Sequence, residues 1–304
     1  MAMQQGKNIL PILIVLFGLL VLWYGASLWL NTPWQYQVYA NKGVTDWTAQ
    51  QFVLDAWAQD RPVLPSPHQV ASEIWNTTAT LAVTSKKSLF YHAWITLSAT
   101  LMGFVLGTAL GILLAVLIVH NGAMNRSLMP WVIASQTIPI LALAPLFVVI
   151  GFNLFTAPPI NLSADTARLI SKAIISAYLA FFPVTVGMVK GLRSPEFIQL
   201  DLMHTYNASA SQVFWKLRWP SALPYLFTSM KVGVAASLVG AIVGEMPTGA
   251  VAGLGARLLA GSYYGQTVQI WSALFAASAL AAVLVIAVGG VERFVNARMG
   301  ARPA

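Results

Sequence analysis

The chain has 304 residues, no cysteine and only nine acidic side chains, and each shortage removes a class of chemistry. Without cysteine there is neither a disulfide nor a thiolate metal site. The four histidines, His68, His92, His120 and His204, show no ligand spacing, so no metal is expected. No G-x-x-x-x-G-K-[ST] run occurs, which removes phosphate-loop nucleotide chemistry from this chain. No residue stands out as a catalytic nucleophile or general base. Charged residues make up 9%, against about 25% in a soluble globular domain. That is too little charge to build a polar surface, so the solvent of this chain is a bilayer. The net charge of +8 reflects the scarcity of acids, and no basic cluster interleaved with aromatics points to nucleic acid.

What is abundant is hydrocarbon, at 58% of the residues. Crossing ~30 Å of lipid takes about 20 apolar residues. Six runs are long enough: Asn8–Leu30, Ala93–Val119, Leu128–Phe152, Leu169–Val189, Leu223–Glu245 and Val268–Val291. The first run is longer than a usual signal-peptide core and ends in Trp23, Tyr24 and Trp29, so an uncleaved anchor is expected. The chain then divides into an anchor helix (1–31), an outer loop (32–92), a five-helix core (93–291) and a tail (292–304).

Six spans put both termini on one side. The tail carries Arg293, Arg298 and Arg302, which makes that side cytoplasmic, together with Arg126, Lys190, Arg193, Lys216 and Arg218. Lys86 and Lys87 fall outside and dissent. In the outer loop, Ser66 is placed to cap a helix with Pro67 at its first position and Gln69 reaching back. Val70 and Ile74 would share the apolar face of that amphipathic helix, whether it docks a partner or lies in solvent.

The third run contains Pro130, Pro139 and Pro145, with Gln136 and Thr137 in the turn before Pro139. Proline frees carbonyls, which lipid tolerates only where neighbouring helices or water satisfy them. The fourth run repeats the pattern with Phe181, Phe182, Pro183 and Thr185. Such residues either bond between helices or face a polar path. As path candidates we take Gln136, Thr137, Pro139, Phe182, Thr185 and Glu245. Glu245 ends the fifth run ahead of "MPTGAVAGLG", too rich in glycine for a good lipid-exposed helix and so a candidate re-entrant or gate-like loop. Gly103, Gly107 and Gly111 at four-residue spacing predict close helix packing.

One segment breaks the hydrocarbon pattern: "YNASASQVFWKLRWPSALPYL", from Tyr206 to Leu226. Val213, Phe214 and Leu217 cluster on one face, Ser211 is a candidate cap, and Pro220 is expected to end the helix before the next span. With "SPEFIQLDLMHTYN" upstream, the segment predicts a helix, turn and helix at the cytoplasmic end, either in the interface or in a partner's groove.

These residues resemble the membrane subunits of type I ABC importers. In the nitrate, sulfonate, taurine and pyrimidine-precursor branch, the second half of the EAA-type motif runs Gly-Ala-Ser, then Phe, then Leu-Pro-x-Ala-Leu-Pro. Ala208, Ser209, Phe214, Pro220, Ala222, Leu223 and Pro224 match it. Asn207 stands at the motif glycine, and Asp201-Leu202-Met203 stands at Glu-Ala-Ala. "LPSP", "TLSATLMGFVLGTALGILLAV", "PILALAPLFVVIGF", "FFPVTVGMVKGL" and "GEMPTGAVAGLG" extend the likeness along nearly the whole chain.

The resemblance implies an all-α integral membrane protein with six transmembrane helices and a MetI-like type I ABC importer permease fold, in a bacterial inner membrane. It implies a coupling loop (190–222) that docks in a groove of a cytoplasmic ABC ATPase dimer. Asp201, Asn207, Ala208, Ser209, Phe214, Leu217, Pro220 and Pro224 would be its coupling residues. ATP and magnesium would be bound by that ATPase, with no cofactor in this chain. Further implied partners are a second permease copy and a periplasmic substrate-binding protein. The pathway candidates lack a basic residue, which favours a pyrimidine or thiamine precursor over nitrate, sulfonate or taurine. An ion-coupled secondary transporter is the rival class, and it is disfavoured because the span interiors are nearly free of ionisable residues.

Overall fold

A computed structural model describes residues 2–247 and 252–299, with side chains from residue 10 onward. Residues 248–251 of the glycine-rich run and Arg302 of the tail lie outside the described residues. Twelve helices are described in chain order: α1 (Ala2–Lys42), α2 (Ala49–Trp57), α3 (Pro67–Trp75), α4 (Leu89–His120), α5 (Gly122–Ala134), α6 (Ile140–Thr156), α7 (Ala164–Leu192), α8 (Phe197–Thr205), α9 (Ala210–Val213), α10 (Trp219–Gly244), α11 (Leu254–Tyr263) and α12 (Thr267–Arg298). No strand occurs among the described residues. Among the described residues, five helical stretches are long and apolar enough to cross a membrane, and a sixth crossing results if one bent pair counts as a span.

That bent pair corrects the sequence reading of the third run. Leu128–Phe152 is not one continuous span, because the helix breaks between Thr137 and Ile140 and its halves meet at 100°. Pro139 explains the break: it donates no hydrogen bond, holds Ile138 extended (φ −80°, ψ 123°) and starts α6 as its N-cap. Three further expectations are corrected. The anchor helix does not stop at residue 31 but runs to Lys42, with Pro33 inside it. Pro220 does not end a helix, since Ala210–Gly244 is one continuous 35-residue stretch. A π turn at Phe214–Arg218, in which Trp219 N–H reaches back to the Phe214 carbonyl, admits the proline at the start of α10. The cap of α9 is Ser209 rather than Ser211.

The chain divides into two compact units, residues 1–91 with 257–276 and residues 92–256 with 277–304. The first is organised around Asn31, a fully buried side chain of α1. Its Nδ2 donates to the carbonyls of Ala56 (3.3 Å) and Leu64 (2.9 Å). Its Oδ1 accepts from the Val63 (2.8 Å) and Leu64 (3.2 Å) amides. One amide side chain thus satisfies loop backbone that would otherwise be buried unpaired. Thr48 caps α2 by accepting from Gln51 N–H, a helix the sequence reading passed over. At α3, Gln69 Oε1 accepts from Ser66 N–H at 3.1 Å as expected, while Ser66 Oγ donates to the Trp57 carbonyl. Val70 is buried and Ile74 half-buried. Arg257 Nη1 donates to the Lys87 carbonyl (2.6 Å) and Nη2 lies 3.3 Å from Glu73 Oε1. Burial lowers the pKa of that guanidinium, and the Glu73 charge opposes the shift.

The core of the second unit is α7, packed between α4 and α10. Small residues let the three backbones touch. A Cβ added at Gly103 would overlap Ser176, one at Gly107 would sit 2.7 Å from the Ala177 carbonyl oxygen, and one at Gly240 would sit 2.8 Å from Ser176 Cα. Ser176 is therefore pressed from both sides. Further along α7, Ile118, Val184, Met188, Leu192, Ala222 and Phe227 belong to one apolar core.

Gly103→Val is expected to destabilise the protein by about 1–3 kcal/mol through overpacking. Gly18→Ala, where nothing lies within 4 Å, should leave stability nearly unchanged. Unfolding followed in detergent checks both.

Candidate translocation site and coupling segment

The break between α5 and α6 opens a cavity of about 260 Å³, lined by Ser135, Gln136, Ile138, Ile140, Tyr178, Leu179 and Phe182. No lining side chain is charged. Tyr178 Oη donates to the Ser135 carbonyl at 2.5 Å, tying the broken turn to α7. Tyr178 itself packs against Phe147 and Phe181. Of the path candidates, Gln136 and Phe182 line this cavity. Thr137 and Pro139 are exposed beside it, with Thr137 Oγ1 bonded to the Ala134 carbonyl. Thr185 is buried and returns its hydroxyl proton to the Phe181 carbonyl within its own helix. Tyr178 and Ser135 were missed by the sequence reading. The approach of a tyrosine to a carbonyl 43 residues away leaves no local pattern.

Glu245 lies elsewhere, fully buried at the C-terminal end of α10. Lys172 Nζ, from α7, sits 3.3 Å from its Oε1. Thr96 Oγ1, from α4, lies 2.9 Å from Oε2, and Gly255 N–H donates to Oε2 at 2.9 Å. Thr96 Oγ1 also accepts Leu254 N–H (2.9 Å), and His92 Nδ1 accepts Gly253 N–H (3.0 Å). Three consecutive amides at the start of α11 are thereby satisfied. A second ion pair, Lys231 Nζ to Glu292 Oε2 at 2.5 Å, joins α10 to α12. The ionisable groups Lys172, Lys231 and Glu292 within the spans are each paired, as groups in a low-dielectric setting must be.

The helix–turn–helix has a defined turn. Asn207 takes a left-handed conformation, φ 51°. Its N–H bonds the His204 carbonyl (2.9 Å) and Ala208 N–H bonds Met203 O (3.0 Å), a Schellman closure with asparagine where glycine is commonest. Two residues later Ser209 caps α9: Gln212 N–H donates to Ser209 Oγ (3.3 Å), and Gln212 Oε1 accepts Ser209 N–H (2.8 Å). Ala208 bridges the two caps, and Asp201 is exposed on α8 with its carbonyl taken by Thr205.

Phe214 turns inward, against the core of its own unit and edge-on to His120 at 5.2 Å. Leu217 and Pro220 are half-buried, while Pro224 is exposed on α10. The apolar surface left open consists of Phe197 (79% exposed), Ile198 (72%), Leu202 (55%), Tyr206 (76%) and Trp215 (59%), four of them unremarked in the sequence reading of coupling residues and one, Leu202, noted only as a departure. So large a group of exposed apolar side chains on one short segment marks a surface made for a protein partner or for the membrane interface.

A membrane bundle with a proline-broken span, an uncharged cavity at the break and an apolar helix–turn–helix at one end is that of a transport permease. The chain belongs to the family of binding-protein-dependent transport system inner membrane components, whose model matches residues 107–301. It is 35% identical over 195 residues to the formylaminopyrimidine transport permease protein ThiX of Halalkalibacterium halodurans, covering 64% of this chain and 68% of that protein. It is 30% identical over 231 residues to the riboflavin transport system permease protein RibX of Chloroflexus aurantiacus, covering 76% and 78%. Its fold is similar to a chain of the methionine ABC transporter MetNI in inward-facing conformations, with TM-score 0.55, 18% identity, and coverage of 68% of this chain and 96% of that one. The protein is thus the membrane permease subunit of an ABC importer, as the sequence resemblance implied, and its family implies ATPase and binding-protein partners.

Replacing Asn207 by alanine is expected to cost about 1 kcal/mol through the left-handed backbone, whereas glycine should keep the turn. Hydrogen exchange at the Asn207 and Ala208 amides reads the difference directly.

Proposed function

We propose that this permease carries a small uncharged heteroaromatic solute of the pyrimidine or thiamine-precursor kind. The observation that carries the reading is the cavity at the α5–α6 break, which offers aromatic faces from Tyr178 and Phe182, one amide at Gln136 and no charge. Flat rings stack on such faces, and an amide reads ring nitrogens and exocyclic groups. Nitrate, a sulfonate or taurine would need a cation there. Two relatives whose names refer to heteroaromatic solutes agree with this chemistry.

In the working importer a periplasmic binding protein delivers the solute to the pathway between two copies of this chain. Both termini face the cytoplasm, where the tail arginines lie. A separate ATPase dimer binds ATP and magnesium and docks on the α8–α9 surface through Trp215, Tyr206, Leu202 and Phe197, with Asn207 and Ser209 holding the turn. The inward packing of Phe214 supports a role in anchoring that surface on the bundle.

Two measurements test this. Vesicles holding the whole importer, supplied with ATP, should accumulate labelled formylaminopyrimidine and not nitrate, and Gln136→Leu should lower uptake by roughly tenfold, the worth of one lost hydrogen bond to a buried partner. Nitrate uptake, or uptake driven by an ion gradient without the ATPase, would overturn the reading. Trp215→Asp should abolish co-purification of the ATPase while the permease still inserts, and unchanged association would remove the docking role.

A further inference from the structure

The stretch Ala210–Gly244 is a single 35-residue helix, about 50 Å long at 1.5 Å per residue. One end carries Trp215 and the capped turn. The other ends at Glu245, whose buried carboxylate grips the first turn of α11 through Gly255 N–H, with Thr96 and His92 holding the two preceding amides. The grip is tight as well as charged. A Cβ at Gly253, where φ is +130°, would overlap the Glu245 carboxylate, and one at Gly255 would overlap the Ile242 carbonyl. Lys172 supplies the countercharge from α7. An apolar residue could end this helix at no desolvation cost. A carboxylate that must be paired and hydrogen-bonded to be buried at all is instead suited to hold one specific neighbour.

We propose that Glu245 is a positioning residue for transport, a clasp through which displacement of the α9–α10 rod is passed to residues 252–256 at the start of α11. This rests on the proposed docking of the ATPase at the α8–α9 surface. The rod transmits because it is continuous through the π turn, and the clasp transmits because Glu245 holds the Gly255 amide directly and the Leu254 amide through Thr96, its own hydrogen-bond partner. A side chain merely filling space would leave α11 free to lag behind.

The absence of cysteine allows single reporter cysteines. Tyr206→Cys reports the docking end and Ala252→Cys the clasp end, each in the assembled importer with its ATPase. Labelling of this chain by a maleimide is followed by mass, without nucleotide and with ATP plus vanadate. In the otherwise native chain, nucleotide should change the labelling rate at both positions. With Glu245→Gln, or with Gly253→Ala, which keeps both charges, the response at 206 should persist and that at 252 should be lost. An undiminished response at 252 in both variants overturns the clasp. Silence at 206 in the native background overturns the docking reading, and the clasp with it.

Discussion

The structure depends on how closely α7 approaches α4 and α10. Helices in lipid gain nothing by hiding hydrocarbon from hydrocarbon, so their association rests on backbone contact and on polar pairs. Gly103 and Gly107 on one side and Gly240 on the other bring both neighbours against Ser176 and Ala177. The same proximity brings Lys172 of α7, Thr96 of α4 and Glu245 of α10 within bonding distance. Small residues and buried charge are therefore one arrangement, because the ion pair could not form between helices held apart by large side chains.

Against that rigid set, α5 and α6 are built differently. Pro139 cuts them apart, Tyr178 meets the Ser135 carbonyl, and the Ser135 and Thr137 hydroxyls donate to the Val132 and Ala134 carbonyls. A cavity opens where the packing is interrupted, and its lining carries no charge. The permease thus combines a closely packed set of helices with a pair whose backbone is broken.

Much of this was legible in the chain. Apolar run length located the spans, Asn207 announced its own left-handed turn, and glycine spacing announced the α4 contact, because each signal lies within a few residues. What escaped depended on distance or on compensation. Thr96 and Glu245 are 149 residues apart, and Lys172 and Glu245 are 73 apart, so no local periodicity links them. Pro220 reads as a stop, but a widened turn just before it absorbs the missing donor. Phe214 reads as a docking side chain on its helical face, yet His120 and the core claim it. The 100° bend at Pro139 exceeds what a proline alone announces, since the angle is set by what the two halves pack against.

The length of α1 has a consequence of another kind. The helix from Leu10 to Lys42 spans 33 residues, about 50 Å where the hydrocarbon needs about 30 Å. The surplus turns are a mast, and Asn31 is the cleat to which the 63–64 backbone is tied. A mast of this type is sensitive to phase. Insertion or deletion of one residue below Asn31 would swing that cleat by about 100° around the axis, whereas a change of composition would leave it in place. The Asn31 contact thus depends on the residue count of the helix as well as on its side chains.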